Sequence, residues 1–165
     1  MTIAAVADTH TALWHLFADP RLSSNAATFI DEAAKARRKI AISTISLAEL
    51  VYLVEKGRLA ESAYAELTQA LADPEHVFAE AIFSFAIVEA LRRVPRSEVP
   101  DLPDRIVAAT AIHFGVPVIS RDRRILASSL KTIWQAGNRH RKSRPRTEDK
   151  PVRFKYRIEP RLTAA

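Results

Sequence analysis

The sequence predicts an α/β fold in which parallel strands alternate with helices. Short β-branched runs alternate along the chain with longer segments of helical periodicity. The strand candidates are almost continuously apolar, which is typical of a sheet covered by helices on both faces. We therefore expect a buried parallel sheet whose strands are joined by right-handed helical crossovers.

Five apolar segments are predicted as strands, of which the third is weaker and the last is short: 3–7, 40–43, 77–83, 116–119 and 132–134. Between them, apolar residues at helical spacing predict five helices: 24–38, 46–56, 61–72, 86–93 and 103–114. Ser23 or Ser24 caps the first of these helices, and Gly57 and Gly115 follow the second and the last. The helix 103–114 is apolar on most faces, so we expect it to lie deep in the core.

Length and composition exclude several classes of protein. The 165 residues suit one domain, and the absence of cysteine excludes a disulfide scaffold, a thiolate zinc site and a cysteine nucleophile. No apolar run approaches the ~20 residues of a membrane helix, and the first residues lack a basic leader. The sequence predicts a cytoplasmic protein without a membrane partner.

The charge of +6 is concentrated at one end of the chain. Residues 1–134 carry a net charge of −1, whereas residues 135–165 carry +7. This predicts a folded domain over 1–134 and a largely disordered basic extension over 135–165, which either contacts an anionic partner or is simply solvated. Within the extension, residues 152–158 alternate basic and apolar side chains, as an edge strand or an RNA-stacking segment does.

Four acidic residues occupy equivalent places in this scheme. Asp8 and Asp122 follow the strands 3–7 and 116–119, Glu49 lies in the first turn of the helix 46–56, and Asp104 opens the helix 103–114. Strand carboxyl ends and the following helix starts share one edge of an open parallel sheet, where such folds bind ligands. The four carboxylates are therefore expected to converge.

Each of these acids alone has a structural explanation as a helix cap. Ser46 and Glu49 have the spacing of a capping box, Asp101 and Asp104 resemble one, and Asp8 and Asp122 precede candidate helices. Capping does not explain four acids at one edge, where like charges raise pKa values unless a cation is bound. Oxygen ligands favour Mg²⁺ or Mn²⁺, and the five histidines form no zinc-spaced pair.

Four segments together resemble the signature segments of PIN-domain proteins, in particular the VapC-type toxins of bacterial toxin–antitoxin systems. The segments are VADTHTALW at 6–14, STISLAEL at 43–50, DLPDRIVAATA at 101–111 and VISRDRRI at 118–125. The resemblance runs from about residue 3 to residue 134, near which related chains end.

The resemblance implies a three-layer α/β/α fold with a five-stranded parallel sheet, and a Mg²⁺- or Mn²⁺-dependent endoribonuclease. It also implies an antitoxin partner that blocks the site, and a homodimer. By position, the family's four acids fall on Asp8, Glu49, Asp104 and Asp122, and Ser120 matches the hydroxyl residue that accompanies the fourth. Asp101 is an alternative for the third acid.

The chemistry that these residues permit is phosphodiester hydrolysis. Asp8, Asp104, Asp122 and Glu49 are the candidate catalytic and metal-binding residues. Asp101 and Ser120 are candidates for supporting positions behind the metal ligands. Arg105, Arg121 and Arg123 are candidates for contacts with RNA phosphates. The alternatives are a non-catalytic PIN-like RNA-binding scaffold and a receiver-like signalling domain that holds Mg²⁺ in an acidic pocket.

Overall fold

The computed structural model of the protein describes residues 1–134. The predicted basic extension 135–165 and its 152–158 segment lie outside the described residues. Along the described chain the elements are β1 (Ile3–Ala7), α1 (Thr9–Leu16), α2 (Ser24–Lys35), β2 (Lys39–Ser43), α3 (Thr44–Glu55), α4 (Glu61–Ala72), β3 (Phe78–Ala81), α5 (Phe85–Leu91), α6 (Leu102–Phe114), β4 (Val118–Ile119), α7 (Arg123–Ala127) and β5 (Thr132–Ile133).

The five strands form one parallel sheet in the order β3-β2-β1-β4-β5, which confirms the predicted fold class. Strand β1 lies in the centre, with Ala7 paired to Ile42 of β2 and to Ile119 of β4. The chain leaves β1 toward β2 and β3, then returns to the other side of β1 for β4. Such a reversal of strand order opens a crevice at the carboxyl ends of the strands.

Helices cover both faces of the sheet and make it the middle of three layers. On one face, buried side chains of α1 to α4, including Trp14, Ile30 and Leu67, pack on Ile40 and Ile42. The other face carries α5, α6 and α7, whose buried side chains pack on Val6, Ala41 and Val118. Residues 106–111 of α6 are all buried, as its apolar pattern predicted.

Several boundaries differ from the sequence prediction for local reasons. Helix α2 ends at Lys35, because Arg37 adopts a left-handed backbone with φ 52°. Helix α3 begins at Thr44, two residues before the predicted start, and its N-cap is Ser43. Helices α1 and α7 were not among the predicted five, since α1 has 8 residues and α7 has 5. Gly115 ends α6 with φ 67°, as expected of a glycine at a helix C-terminus.

Among residues 1–134, no helix combines the length and the apolar character that a membrane span requires.

Candidate metal-dependent active site

An open cleft of about 460 Å³ lies at the carboxyl ends of β1 and β4. Its walls come from the starts of α1, α6 and α7 and from the second turn of α3. The four predicted acids all line it, together with Asp101. The complete lining is Asp8, Thr9, His10, Trp14, Glu49, Asp101, Asp104, Val107, Arg121, Asp122, Arg123 and Arg124. The expected convergence of the carboxylates is therefore observed.

Asp8 is held at both carboxylate oxygens. As the N-cap of α1, its Oδ1 accepts a hydrogen bond of 2.7 Å from the backbone N–H of Thr11. Its Oδ2 accepts a short hydrogen bond from the hydroxyl of Ser120, which is fully buried at the end of β4. Asp8 is thus both a helix cap and a preoriented carboxylate in the cleft.

Asp122 is the N-cap of α7. Its Oδ1 accepts hydrogen bonds from the backbone N–H groups of Arg124 at 2.7 Å and Ile125 at 3.1 Å. Its own N–H donates to Ser120 Oγ at 2.9 Å. The Ser120 hydroxyl therefore connects Asp8 to Asp122.

Glu49 does not form the capping box that its spacing from Ser46 predicted. Because α3 begins at Thr44, Glu49 lies in the second turn, and the Ser46 hydroxyl has no hydrogen-bond partner in the described part of the chain. Instead, the hydroxyl of Thr9 donates to Glu49 Oε2 at 2.6 Å. Thr9 is buried beside Asp8, and sequence reasoning missed it because a threonine at a helix start is ordinary.

Asp104 is the carboxyl group of the cleft with a strongly shifted pKa. Burial, followed by the negative charges of Asp122, Asp101, Glu49 and Asp8, raises its pKa to about 7. Its side chain accepts no hydrogen bond from residues 1–134. Asp101 is the N-cap residue of α6 but makes no side-chain cap bond, so the second predicted capping box is also wrong.

The predicted RNA-binding arginines occupy two different places. Arg121 and Arg123 line the cleft, and the guanidinium of Arg121 lies over the Trp14 ring at 5.8 Å. Arg105 does not line the cleft, because its Nη2 donates to the carbonyl of Val94 at 3.1 Å in the loop before α6. Arg124 lines the cleft and was not predicted, although it continues the same run of arginines.

The donor set fits a hard divalent cation. The cleft offers carboxylate and hydroxyl oxygens, which Mg²⁺ and Mn²⁺ prefer, and its mutually repelling charges favour a bound cation. Within the described residues, however, no three or more of the His, Asp and Glu side chains are close enough together to bind one ion directly.

Comparison with known proteins identifies a family. The PIN domain model matches residues 5–128. Ribonuclease VapC22 of Mycobacterium tuberculosis is 32% identical over 118 residues, which cover 72% of this chain and 86% of that protein.

Three solved structures share the fold at 18% to 23% identity. A VapBC2 structure from Rickettsia felis, bound to a DNA fragment from the promoter, has a TM-score of 0.57 and covers 79% of this chain and 99% of the matched one. A toxin–antitoxin complex from Klebsiella pneumoniae has a TM-score of 0.52, with 78% and 95% covered. FitAcB from Neisseria gonorrhoeae has a TM-score of 0.50, with the same coverage. The chain belongs to the PIN-domain family and is a homologue of a VapC ribonuclease.

Proposed function

We propose that the protein is a metal-dependent endoribonuclease and the toxin of a toxin–antitoxin pair. The observation that carries this proposal is the cleft in which Asp104 is surrounded by Asp8, Glu49, Asp101 and Asp122. A fold without a cationic ligand gains nothing from this concentration of negative charge. The relationship to a VapC ribonuclease supports the choice of RNA as substrate.

Asp8, Asp104, Asp122 and Glu49 are the residues that would hold Mg²⁺ or Mn²⁺. When bound, the ion lowers the pKa of a coordinated water and neutralises charge on the scissile phosphate. Ser120 orients Asp8 through the short hydrogen bond to Oδ2, and Thr9 orients Glu49 through Oε2. Glu49 either ligates the ion or accepts the proton of the attacking water. Asp104 would hold the ion in its ionised form.

The substrate backbone would lie along the arginine side of the cleft. Arg121, Arg123 and Arg124 stand beside the carboxylates and supply cations for RNA phosphates. We propose that residues 1–134 form the nuclease domain and that the basic residues of 135–165 add non-specific attraction for RNA. A chain truncated to residues 1–134 is expected to cleave RNA at the full rate. It is also expected to bind RNA more weakly, with an affinity that depends less on the salt concentration.

A partner antitoxin would bind the apolar groove that continues from the cleft. This groove of about 220 Å³ shares His10 and Trp14 with the cleft and is otherwise lined by residues including Leu13, Phe17 and Leu59. An amphipathic segment in it would place a basic side chain among the carboxylates. Co-expression of such an antitoxin is expected to relieve growth arrest by the toxin.

The homodimer would form through exposed apolar side chains on α3 and around the start of α5. The backbone N–H of Phe83 donates to Thr44 Oγ1 at 3.0 Å, which joins the segment before α5 to the first residue of α3. The exposed apolar residues there are Val51, Tyr52, Ile82, Phe83, Phe85 and Val88. A second copy of the chain would cover them, and Phe85→Asp is expected to give a monomer in sedimentation.

The cleft lacks a group that the alternative function, a receiver-like signalling domain, needs. A domain of that kind uses a lysine near its acidic pocket, and no lysine lines this cleft within the described residues. An RNA-cleavage assay distinguishes the proposed nuclease from a non-catalytic RNA-binding scaffold.

Cleavage of RNA by the purified protein in Mg²⁺ or Mn²⁺ tests the proposal. Asp104→Asn and Asp8→Asn are expected to lower the rate by roughly a thousandfold, the scale of losing a principal catalytic group. The matched control is Glu66→Gln, an exposed carboxylate on α4 far from the cleft. Equal rates for all four proteins, or metal-independent cleavage, would contradict the assignment of the site.

A further inference from the structure

Asp8, Ser43 and Ser120 lie in a row at the carboxyl ends of the neighbouring strands β1, β2 and β4. Val6 of β1, Ala41 of β2 and Val118 of β4 all belong to the core beneath α5, α6 and α7. Side chains two residues apart on a strand point to the same face. Asp8, Ser43 and Ser120 therefore point toward the face that α6 covers and that carries Asp104 at its edge.

Ser120 and Ser43 flank Asp8 on opposite sides of this row. Ala7 pairs with both Ile42 and Ile119, so the next positions in register place Ser43 and Ser120 beside Asp8. Ser120 uses its hydroxyl to bind Asp8 Oδ2 and the N–H of Asp122. Its counterpart Ser43 is fully buried, and its hydroxyl has no hydrogen-bond partner among residues 1–134.

Local structure offers Ser43 a partner that it does not use. As the N-cap of α3, it is placed to accept from an N–H of the first turn, yet it makes no side-chain cap bond. Ser46, in that first turn, has a second hydroxyl that is 1% exposed and also without a partner. Two orphaned hydroxyls in one turn are unusual, because buried polar groups are normally satisfied by protein or ordered water.

We propose that Ser43 is a positioning residue whose hydroxyl binds an ordered water beside Asp8, beneath the residues that line the cleft. Ser120, at the same register on the other side of Asp8, donates directly to Oδ2, whereas Ser43 makes no such bond, so an ordered water is the partner that would satisfy its hydroxyl. Ser46, one turn before Glu49, supplies a further hydroxyl for the same water. This inference rests on the proposed function: the water belongs to the hydration shell of the divalent ion that the carboxylates would hold.

Two measurements on the full-length protein without RNA test this inference. Calorimetry gives the affinity for Mn²⁺, and thermal unfolding without metal gives the Tm. Ser43→Ala is expected to raise the Kd for Mn²⁺ roughly tenfold, as the loss of an outer-shell partner does. The Tm is expected to stay the same or rise, since an unsatisfied buried hydroxyl is removed. Ser46→Ala is expected to change both quantities in the same directions by less.

Thr110→Val is the matched control, because it removes a buried hydroxyl that already donates to the carbonyl of Ile106 at 2.7 Å. This variant is expected to leave the Kd for Mn²⁺ unchanged. A Ser43→Ala protein with a higher Tm and an unchanged Kd would overturn the inference and leave the nuclease site intact. If the unaltered protein binds no Mn²⁺ at all, the metal-dependent site itself is wrong, and the role of Ser43 falls with it.

Discussion

The strand-end carboxylates and the helix carboxylate of the cleft differ in what holds them. Asp8 and Asp122 each accept backbone N–H bonds at a helix start, and both are linked through Ser120. Asp104 lies inside the first turn of α6, accepts no hydrogen bond from residues 1–134, and has its pKa raised to about 7 by burial and by its acidic neighbours. The strand-end acids thus stabilise the fold as helix caps, whereas the contacts of Asp104 among residues 1–134 give it no structural role.

Alanine substitutions at Asp8 and Asp104 provide the largest contrast. Asp8→Ala removes a helix cap and leaves the buried hydroxyl hydrogen of Ser120 without its acceptor, so we expect the free energy of unfolding to fall by about 2 kcal/mol. Asp104→Ala removes a carboxylate that its neighbours repel, so we expect no loss of stability at pH 7.5. Urea unfolding in EDTA measures both. Equal losses for the two variants would mean that Asp104 has a structural role that its contacts do not show.

The pH dependence of stability sharpens the same contrast. Because the pKa of Asp104 is about 7 in the folded protein and near 3.8 in the unfolded chain, the folded state binds more protons between these values. Its contribution to stability is therefore fully present below about pH 4 and is lost as pH rises through 7. Asp104→Asn is expected to match the unaltered protein near pH 4 and to be more stable at pH 8, by on the order of 2 kcal/mol after allowance for solvent screening.

The free energy of unfolding of Asp104→Asn and of the unaltered protein should be measured in EDTA over this pH range, and the difference between the two compared. Burial lowers the pKa of His15 and of His76, so both histidines destabilise the fold as pH falls. They are present in both proteins, and their effect cancels in the difference. Parallel stability curves from pH 4 to pH 8 would contradict the raised pKa of Asp104.

Much of the fold followed from patterns that are local in sequence. Strand β1 and helix α4 have the predicted bounds, because apolar runs and helical spacing reflect burial on the sheet directly. The capping box at Ser46 failed because the spacing of two residues does not determine where a helix begins. Thr44 continues into the helix directly from β2, which moves Glu49 to the second turn and frees it for the cleft.

The cleft was predictable in its acids and less so in the groups that support them. Strand order places the carboxyl ends of β1 and β4 side by side, so acids after those strands had to meet. Thr9 and Trp14 carry no comparable signal, because the hydrogen bond of Thr9 to Glu49 and the contact of Trp14 with Arg121 join residues distant in sequence. Arg105 adjoins a predicted acid, but its position on α6 directs its guanidinium to Val94 and away from the cleft.

The smallest expected difference separates two acids that both stand at helix N-caps. Asp122 accepts two backbone N–H bonds at the start of α7, whereas Asp101 makes no side-chain bond at the start of α6. Asp122→Ala is therefore expected to lower the free energy of unfolding by about 1 kcal/mol, and Asp101→Ala to change it by only a few tenths. Chemical unfolding in EDTA at pH 6 measures the pair under one condition. Similar losses at the two positions would mean that Asp101 also acts as a cap, and that only Asp104 among the aspartates of the cleft is free of a structural role.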